Sequence, residues 1–258
     1  MKALLIGYGK MGKLISEHAP NFSIKIESIV SPNLKKNELL TSHIYNSLSE
    51  EALSQVDVVI DFSSPQGIKE RVSTIMKAEV PLVIGTTGWD KDLKEVQEIV
   101  SSNNGACIHS ANFSLGVLLF FKLIENSANI FNIFSNEYDC AVFEAHHREK
   151  KDSPSGTAKK IANILLSNIE AKTKITTDPE IRDSDAISVT SMRCGNISGE
   201  HSVIFDSNDD TISLSHYAKN RSGFAKGALQ AAKWVVKKKG CFGINDFLED
   251  ILKSSYEV

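Results

Sequence analysis

ALLIGYGKMGKLISEHA, residues 3–19, begins with a short apolar run that is typical of a buried strand and ends with a helix-like pattern. Between the two lies a Gly-x-Gly-x-x-Gly motif, formed by Gly7, Gly9 and Gly12. Glycines in this position allow a tight turn, close approach of the backbone to a pyrophosphate, and close packing of helix on strand. The helix N-terminus then faces the anion. Because a strand precedes the motif and a helix follows it, the stretch predicts a dinucleotide-binding βαβ unit.

Strand-like runs alternate with helix-like stretches through the rest of the N-terminal part. The predicted strands that follow the glycine motif are residues 24–30, 56–61, 81–84 and 106–109. Such alternation implies βαβ units and a parallel sheet. The first part of the chain is therefore expected to form a Rossmann-type, doubly wound parallel sheet.

The pattern changes after residue 112. The later predicted elements are a long helix over 113–133, a strand over 138–145, a helix over 155–168, three alternating strands between 187 and 217, and a helix over 225–239. The turn at residues 207–210 joins the last two strands as a hairpin. The expected fold class is α/β, with an inserted α+β domain. The expected boundaries are 1–112 plus 221–258 for dinucleotide binding and 113–220 for the insert.

Whole-chain composition excludes several classes of protein. The chain has 258 residues, of which 41% are hydrophobic and 24% charged, which is ordinary for a folded globular protein. A net charge of −3 gives no support for binding nucleic acid, which favours a basic surface. The four cysteines form no C-x-x-C pair and are expected to be reduced thiols. No signal peptide or membrane span is predicted, so we expect a soluble cytoplasmic protein without a membrane partner.

The end of the second predicted strand leaves the choice of nucleotide open. An acidic residue that binds the ribose hydroxyls is expected there, but Ser31 and Pro32 occupy the position. Glu27 lies inside the strand and is a poor substitute. Lys35 and Lys36 could pair with a 2′-phosphate, or they could be two solvated loop lysines.

Two more small-residue motifs end parallel strands. They are Asp61-Phe62-Ser63-Ser64-Pro65 and Gly85-Thr86-Thr87-Gly88. Ligands bind at this edge of open α/β sheets, and small residues let the backbone approach a flat nicotinamide or a ribose. Ordinary turn chemistry explains either motif equally well.

EAHHREKKDSPSGTA, residues 144–158, is a charged segment that a core would not contain. His146 and Lys150 can both exchange protons, and histidine titrates near neutrality. Gly156 and Thr157 begin a helix whose free N–H groups suit a carboxylate. Cations beside a helix N-terminus indicate an anionic substrate, and we expect one with two carboxylates. We expect no metal site, because adjacent histidines chelate poorly and no Asp, Glu or Cys set completes the coordination.

Together these motifs resemble the bacterial dihydrodipicolinate reductases, the 4-hydroxy-tetrahydrodipicolinate reductases of lysine biosynthesis. The resemblance is nearly full length and in order. It comprises GYGKMG (7–12), VVIDFSSP (58–65), GTTGW (85–89), SANFSLGV (110–117), EAHHREKKDSPSGTA (144–158), RCGNISGEHSVIF (193–205) and LSHYAKNRSGFAKGA (214–228). The charged signature is highly specific to the family.

The resemblance implies NADH- or NADPH-dependent reduction of 4-hydroxy-tetrahydrodipicolinate to tetrahydrodipicolinate, in the diaminopimelate route to lysine. It assigns His146 as the acid/base and Lys150 as the proton donor. It also implies that the substrate carboxylates are bound by His147, Gly156 and Thr157. The cofactor residues that it implies are Gly7, Tyr8, Gly9, Lys10, Met11, Gly12, Gly85, Thr86, Thr87, Ser110, Ala111, Asn112 and Phe113. It also implies a homotetramer assembled through the sheet of the insert, residues 113–220.

Two alternatives to this function remain open from the sequence. One is another two-domain NAD(P)-dependent dehydrogenase of amino-acid metabolism, which would share the N-terminal pattern but lack the charged signature. The other is a non-catalytic sensor of dinucleotide and anion, which would not need both His146 and Lys150. His109, His201 and His216 are expected to be structural histidines.

Overall fold

The computed structural model describes residues 1–32, 34 and 43–256, with side-chain surroundings up to residue 253. The chain divides into two compact units. The first comprises Met1–Leu115 and the chain from Arg221 onward, and the second comprises Gly116–Asn220.

The regular elements follow one another along the chain in this way. Over the described residues, the strands are β1 (Lys2–Ile6), β2 (Lys25–Val30), β3 (His43–Tyr45), β4 (Val58–Asp61), β5 (Leu82–Ile84), β6 (Ala106–His109), β7 (Asp139–His146), β8 (Lys174–Thr176), β9 (Ala186–Arg193), β10 (Glu200–Asp206), β11 (Thr211–Tyr217) and β12 (Gly240–Gly243). The helices in the same residues are α1 (Lys10–His18), α2 (Glu50–Leu53), α3 (Ile68–Lys77), α4 (Leu93–Ser102), α5 (Leu115–Ile133), α6 (Gly156–Asn168), α7 (Ser222–Val235) and α8 (Ile244–Tyr256), with 3₁₀ turns at Ala19–Phe22 and Asp90–Asp92.

The first unit is built on a parallel sheet with strand order β12-β6-β5-β4-β1-β2-β3. The order along the chain reverses at β1, because β2 and β3 lie on one side of it and β4, β5 and β6 on the other. Ligands of open α/β sheets bind at such a switch point, outside the carboxyl ends of the strands. The sheet therefore places the glycine motif, which follows β1, at the expected binding edge.

The central strands β1, β4 and β5 of this sheet are almost wholly apolar, as is typical of parallel strands that are covered on both faces. β4 and β5 are buried along their whole length. Helix α7 packs on the sheet through small residues, and a Cβ on Gly227 would stand 1.7 Å from the carbonyl oxygen of Phe113. Glycine at position 227 therefore allows α7 to approach the backbone of Phe113 this closely.

The second unit contains a mixed sheet with strand order β11-β10-β7-β9-β8. Central β7 pairs antiparallel with β10 and parallel with β9. The β10–β11 hairpin closes through a hydrogen bond from Ser207 N to Asp210 O, at 2.9 Å. Strand β7 ends at His146, so the sheet carries the charged segment directly at its edge.

The predicted fold class is confirmed, and the strands and long helices lie close to their predicted positions. The sequence did not predict β3, β8, α2, β12 or α8. β3 and β8 are three-residue strands, and β12 is a half-buried Gly-Cys-Phe-Gly segment whose glycines weaken any strand pattern. Across the described residues, every helix is too short or too polar to cross a bilayer.

Candidate functional site

The glycine motif at the end of β1 is held in place by close backbone contacts. Gly7 has φ of +89°, a left-handed value that favours glycine, and an added Cβ would stand 2.5 Å from the carbonyl oxygen of Phe62. A Cβ on Gly12 would stand 2.3 Å from the carbonyl oxygen of Gly7. The protein itself therefore requires glycine at both positions.

Gly9 differs from the other two glycines because a Cβ added there would meet no described protein atom within 4 Å. It is the N-cap of α1, and its backbone is extended, with φ of −77° and ψ of −159°. No described side chain caps this helix end. Open space, free N–H groups and the positive end of a helix dipole fit a pyrophosphate.

Asp61 ties together the two turns that follow β4 and β5. Its carboxylate accepts hydrogen bonds from Ser63 N and Thr86 Oγ1, each at 3.0 Å, and from the Ser63 hydroxyl. It also pairs with Arg71 at 3.0 Å, and Arg71 donates to the carbonyl of Ser64 at 2.6 Å. A buried carboxylate requires such partners. This network fixes the shape of the sheet edge beside the glycine motif.

The remaining predicted cofactor residues lie on the same edge of the first unit. A Cβ on Gly85 would fall 2.1 Å from the ring of Phe62, so the ring occupies the space that the glycine leaves. Ser110 N donates to Ile84 O at 3.0 Å, which places residues 110–113 beside the turn after β5. Phe113 is buried, so any contact between it and a cofactor would come from its backbone.

The described residues at the end of β2 do not indicate which of the two nucleotides binds. Ser31 N donates to Tyr45 O at 3.0 Å. Glu27 pairs with Lys25 at 2.8 Å within the strand region. Lys35 and Lys36 lie outside the described residues.

The second unit brings part of the charged signature together at the end of β7. Glu144 and His146 are two residues apart on the strand and share one face. Both are buried, and the Glu144 carboxylate contacts His146 Nδ1. Glu144 also accepts hydrogen bonds from Arg193 Nη2 at 2.8 Å and from Ser155 N at 3.2 Å.

Burial alone would raise the pKa of Glu144, but its hydrogen bonds outweigh that effect and the pKa is lowered. For His146 the balance is different. Burial, together with the positive charges of Lys150 and Arg193, lowers its pKa more than contact with Glu144 raises it. His146 is therefore poised as a neutral base beside an ionised carboxylate.

The loop after β7 carries the predicted proton donor. Lys150 is half-buried and pairs with Asp152 at 2.8 Å. This hydrogen bond is the largest cause of the lowered pKa of Asp152, and the backbone N–H of Gly156 also contributes. Lys150 and the start of α6 therefore already stabilise one carboxylate.

The first turn of α6 is the predicted carboxylate site. Ser155 caps the helix, which the sequence predicts over 155–168, by accepting from Ala158 N at 3.1 Å. A Cβ on Gly156 would meet no described atom within 4 Å, so the space beside this helix end is open. Thr157, in this turn, and His147, directly after β7, are both partly exposed.

Three residues of this unit have metal-ligating atoms within 4.8 Å of one another: Glu144, His146 and His201. The sequence predicted no metal site because adjacent histidines chelate poorly, and it did not place His201 near the signature. Each of these residues already has a hydrogen-bonding partner, and the guanidinium of Arg193 lies against the same carboxylate. We therefore treat the cluster as a hydrogen-bonding network.

Sequence reasoning missed Glu144, Arg193 and His201 as parts of this network. His201 Nε2 lies 3.1 Å from Ser155 Oγ, and its ring meets the ring of His146 edge-on, with centroids 5.1 Å apart. Arg193 and His201 both lie in segments that the family resemblance covers. Their contact with β7 depends on strand pairing, which no local motif reveals.

His201 should make the folded protein sensitive to mild acid. Burial lowers its pKa from 6.5 to about 4, so the unfolded chain binds a proton before the folded chain does. We expect the free energy of unfolding to fall as pH drops from 6.5 toward 4, by no more than about 3 kcal/mol from this group. Urea unfolding at a series of pH values measures this effect. His201→Gln should flatten the dependence and exposed His43→Gln should not; an equally steep loss in both variants would contradict the assignment.

Comparison with known proteins agrees with the geometry. The family model described as dihydrodipicolinate reductase, N-terminus, matches residues 1–113, and the model described as dihydrodipicolinate reductase, C-terminus, matches residues 116–248. A protein of Christiangramia forsetii named 4-hydroxy-tetrahydrodipicolinate reductase is 36% identical over 254 residues, which cover 98% of this chain and all of the relative. A Rickettsia bellii protein of the same name is 35% identical, with 95% of this chain and 92% of the relative covered.

Solved structures show the same fold. Dipicolinate-bound dihydrodipicolinate reductase from Paenisporosarcina sp. TG-14 superposes with a TM-score of 0.76 at 23% identity, covering 94% of this chain and 97% of the other. A scyllo-inositol dehydrogenase from Lactobacillus casei, solved with NAD(H) and scyllo-inositol, gives 0.51 at 8% identity, with 92% and 88% covered. Since family models match both units and relatives above 30% identity match nearly end to end, the chain belongs to the dihydrodipicolinate reductase family.

Proposed function

We propose that the protein reduces 4-hydroxy-tetrahydrodipicolinate to tetrahydrodipicolinate, in the diaminopimelate route of lysine biosynthesis. The substrate, a reduced nicotinamide coenzyme and a proton give tetrahydrodipicolinate, the oxidised coenzyme and water. The observation that carries the proposal is the buried His146–Glu144 contact at the edge of the second unit, beside Lys150 and the open N-terminus of α6. The first unit is then the dinucleotide-binding domain and the second the substrate domain.

The family implies a nicotinamide cofactor, which supplies hydride when it is bound. Gly7 and Gly12 shape the turn that would receive the pyrophosphate, and Gly9 leaves room for it. The turns at Gly85–Thr87 and Ser110–Phe113 would hold the nicotinamide half. We propose that either NADH or NADPH serves, because the end of β2 carries neither an acidic residue for a ribose hydroxyl nor, within the described residues, a cation for a 2′-phosphate.

The second unit would bind the substrate through its carboxylates. The free N–H groups of Gly156 and Thr157, together with His147, would hold them. The lowered pKa of Asp152 supports this role, because Lys150 and the backbone of Gly156 already favour a negative charge there. A dipicolinate-bound neighbour of the same fold carries a ligand of the same dicarboxylate class.

Two side chains would handle protons in the reaction. Lys150 would donate the proton that accompanies reduction of the ring. His146 would act as the acid/base, since it is neutral near pH 7 and lies within the electrostatic influence of Lys150. Matching of a proton donor and acceptor to the operating pH is the usual basis of such catalysis.

The sheet of the second unit would also form the oligomer. Strand β11 is exposed along most of its length and presents Ile212 and Tyr217 to solvent, and Met192 of β9 is exposed as well. Apolar side chains on an edge strand are typical of a surface that another chain covers. We propose a homotetramer assembled through this sheet, working in the cytoplasm.

A coenzyme-oxidation assay tests the proposed function. Purified protein is mixed with freshly prepared 4-hydroxy-tetrahydrodipicolinate and either NADH or NADPH, and the absorbance of the reduced nicotinamide is followed. We expect substrate-dependent oxidation of at least one coenzyme, inhibited by dipicolinate. Oxidation only with other amino-acid precursors would indicate a different dehydrogenase. Coenzyme binding without oxidation would indicate a sensor.

A further inference from the structure

Glu144 is the most completely enclosed charged side chain of the signature. It has no solvent-exposed surface, and it lies in the middle of three donors. Oε2 contacts His146 Nδ1, while Oε1 accepts from Arg193 Nη2 at 2.8 Å and from Ser155 N at 3.2 Å. Burying a carboxylate is costly without such partners. Residues of strands β7 and β9 and of the N-cap of α6 therefore hold the carboxylate of Glu144 against the imidazole of His146.

The contact determines which nitrogen of His146 carries the proton. An ionised carboxylate can only accept hydrogen bonds, so Nδ1 of His146 must donate. In the neutral ring the lone pair is then on Nε2. A Cβ built on Gly199 would stand 3.1 Å from this Nε2, and Gly199 has φ of +150°, a value that side chains rarely adopt. The residue that faces Nε2 is thus a glycine, which leaves that atom unobstructed from this side.

We infer that Glu144 is a positioning residue that fixes His146 with Nδ1–H toward the carboxylate and Nε2 as the atom that exchanges protons. Arg193 and the backbone of Ser155 hold Glu144 in turn. The inference rests on the proposed function for the importance of His146, but the tautomer itself does not depend on it.

Substituting glutamine for Glu144 should invert the arrangement. Arg193 and Ser155 both donate to Oε1, so the amide oxygen of a glutamine would take that position. Its NH₂ group would then point at Nδ1 of His146, which would have to accept. The ring would carry its proton on Nε2, the atom that must be free to act as a base. Glutamine at position 144 therefore has nearly the same shape as the glutamate that it replaces, but it should impose the opposite tautomer on His146.

The charges around His146 predict the direction of the pH effect. Glu144 raises the pKa of His146, whereas burial, Lys150 and Arg193 lower it. His201 packs edge-on against the same ring. When the carboxylate of Glu144 is removed, it no longer opposes the lowering of the His146 pKa by burial, Lys150 and Arg193. The acid limb of the kcat profile that reports His146 should therefore move to lower pH.

Nitrogen NMR of ¹⁵N-histidine-labelled protein tests the inference, with His146→Gln used to assign the signal. In the wild type we expect neutral His146 to be protonated on Nδ1. In Glu144→Gln we expect protonation on Nε2, a kcat lower by about 100-fold, an acid limb at lower pH, and unchanged affinity for the coenzyme. Glu149→Gln, which removes an exposed carboxylate from the same loop, is the matched control and should change none of these.

Neutral wild-type His146 with its proton on Nε2 would overturn the inference, whether or not any variant folds. So would a Glu144→Gln enzyme with normal kcat and an unshifted pH profile. A folded wild type that shows the expected tautomer but does not reduce the proposed substrate would instead contradict the proposed function.

Discussion

His146→Ala and Lys150→Ala should each lower kcat by about 100- to 10,000-fold, the range over which a positioned proton-transfer group accelerates a reaction. The reason is that reduction of the ring requires a proton as well as hydride, and these two side chains stand beside the open N-terminus of α6. Both belong to the second unit, and the glycine motif belongs to the first. Coenzyme affinity should therefore stay close to that of the wild type. Steady-state kinetics and coenzyme fluorescence titration measure the two effects separately.

Lys151→Ala provides the matched control for this prediction. Lys151 is the next residue in the same loop, it is exposed, and no role is assigned to it. Its removal should change kcat little. Near-normal turnover in both His146→Ala and Lys150→Ala would show that the proton-transfer roles are assigned to the wrong residues.

Gly9→Ala and Gly12→Ala should change different properties, although the two glycines belong to one motif. Gly12→Ala should mainly lower stability, and Gly9→Ala should mainly weaken coenzyme binding. A Cβ on Gly12 would meet the carbonyl oxygen of Gly7 at 2.3 Å, so the backbone must shift and the protein should lose about 1–3 kcal/mol of stability. A Cβ on Gly9 meets no described protein atom, and its extended backbone accepts alanine. Stability there should fall by no more than about 1 kcal/mol, the cost of replacing glycine by alanine, a poorer N-cap residue.

Coenzyme affinity, in contrast to stability, should be reduced mainly in Gly9→Ala. In Gly9→Ala the new methyl group occupies the space proposed for the pyrophosphate, and we expect the Kd for NADH and NADPH to rise about tenfold or more. Urea unfolding and coenzyme titration of the same preparations measure both quantities. Unchanged coenzyme affinity in Gly9→Ala would mean that the pyrophosphate does not approach this backbone.

Much of the fold could be predicted because its signals are local. The strand before Gly7 and the helix after Gly12 are adjacent in sequence, and the Ser155 cap lies next to the helix that it begins. The same locality explains why His146 and Lys150 could be singled out as proton-transfer candidates. Each of these features is set by residues a few positions apart.

The features that escaped prediction are those made by strand pairing. Arg193 reaches Glu144 because β9 runs parallel to β7 in a register that places Arg193 opposite His146. His201 reaches Ser155 because β10 pairs on the other side of β7, with His201 opposite Glu144. A shift of one residue in either strand would turn these side chains to the other face. No spacing within the signature specifies that register.

Transfer of deuterium from the coenzyme to the product tests the central claim most directly. The protein is incubated with freshly prepared 4-hydroxy-tetrahydrodipicolinate and NADH or NADPH deuterated at the transferable position of the nicotinamide. The tetrahydrodipicolinate formed is then examined by mass spectrometry and NMR. The account predicts product that carries a single deuterium on a ring carbon, formed in step with oxidation of the coenzyme. Product without deuterium, or no consumption of either coenzyme by folded wild-type protein, would contradict it.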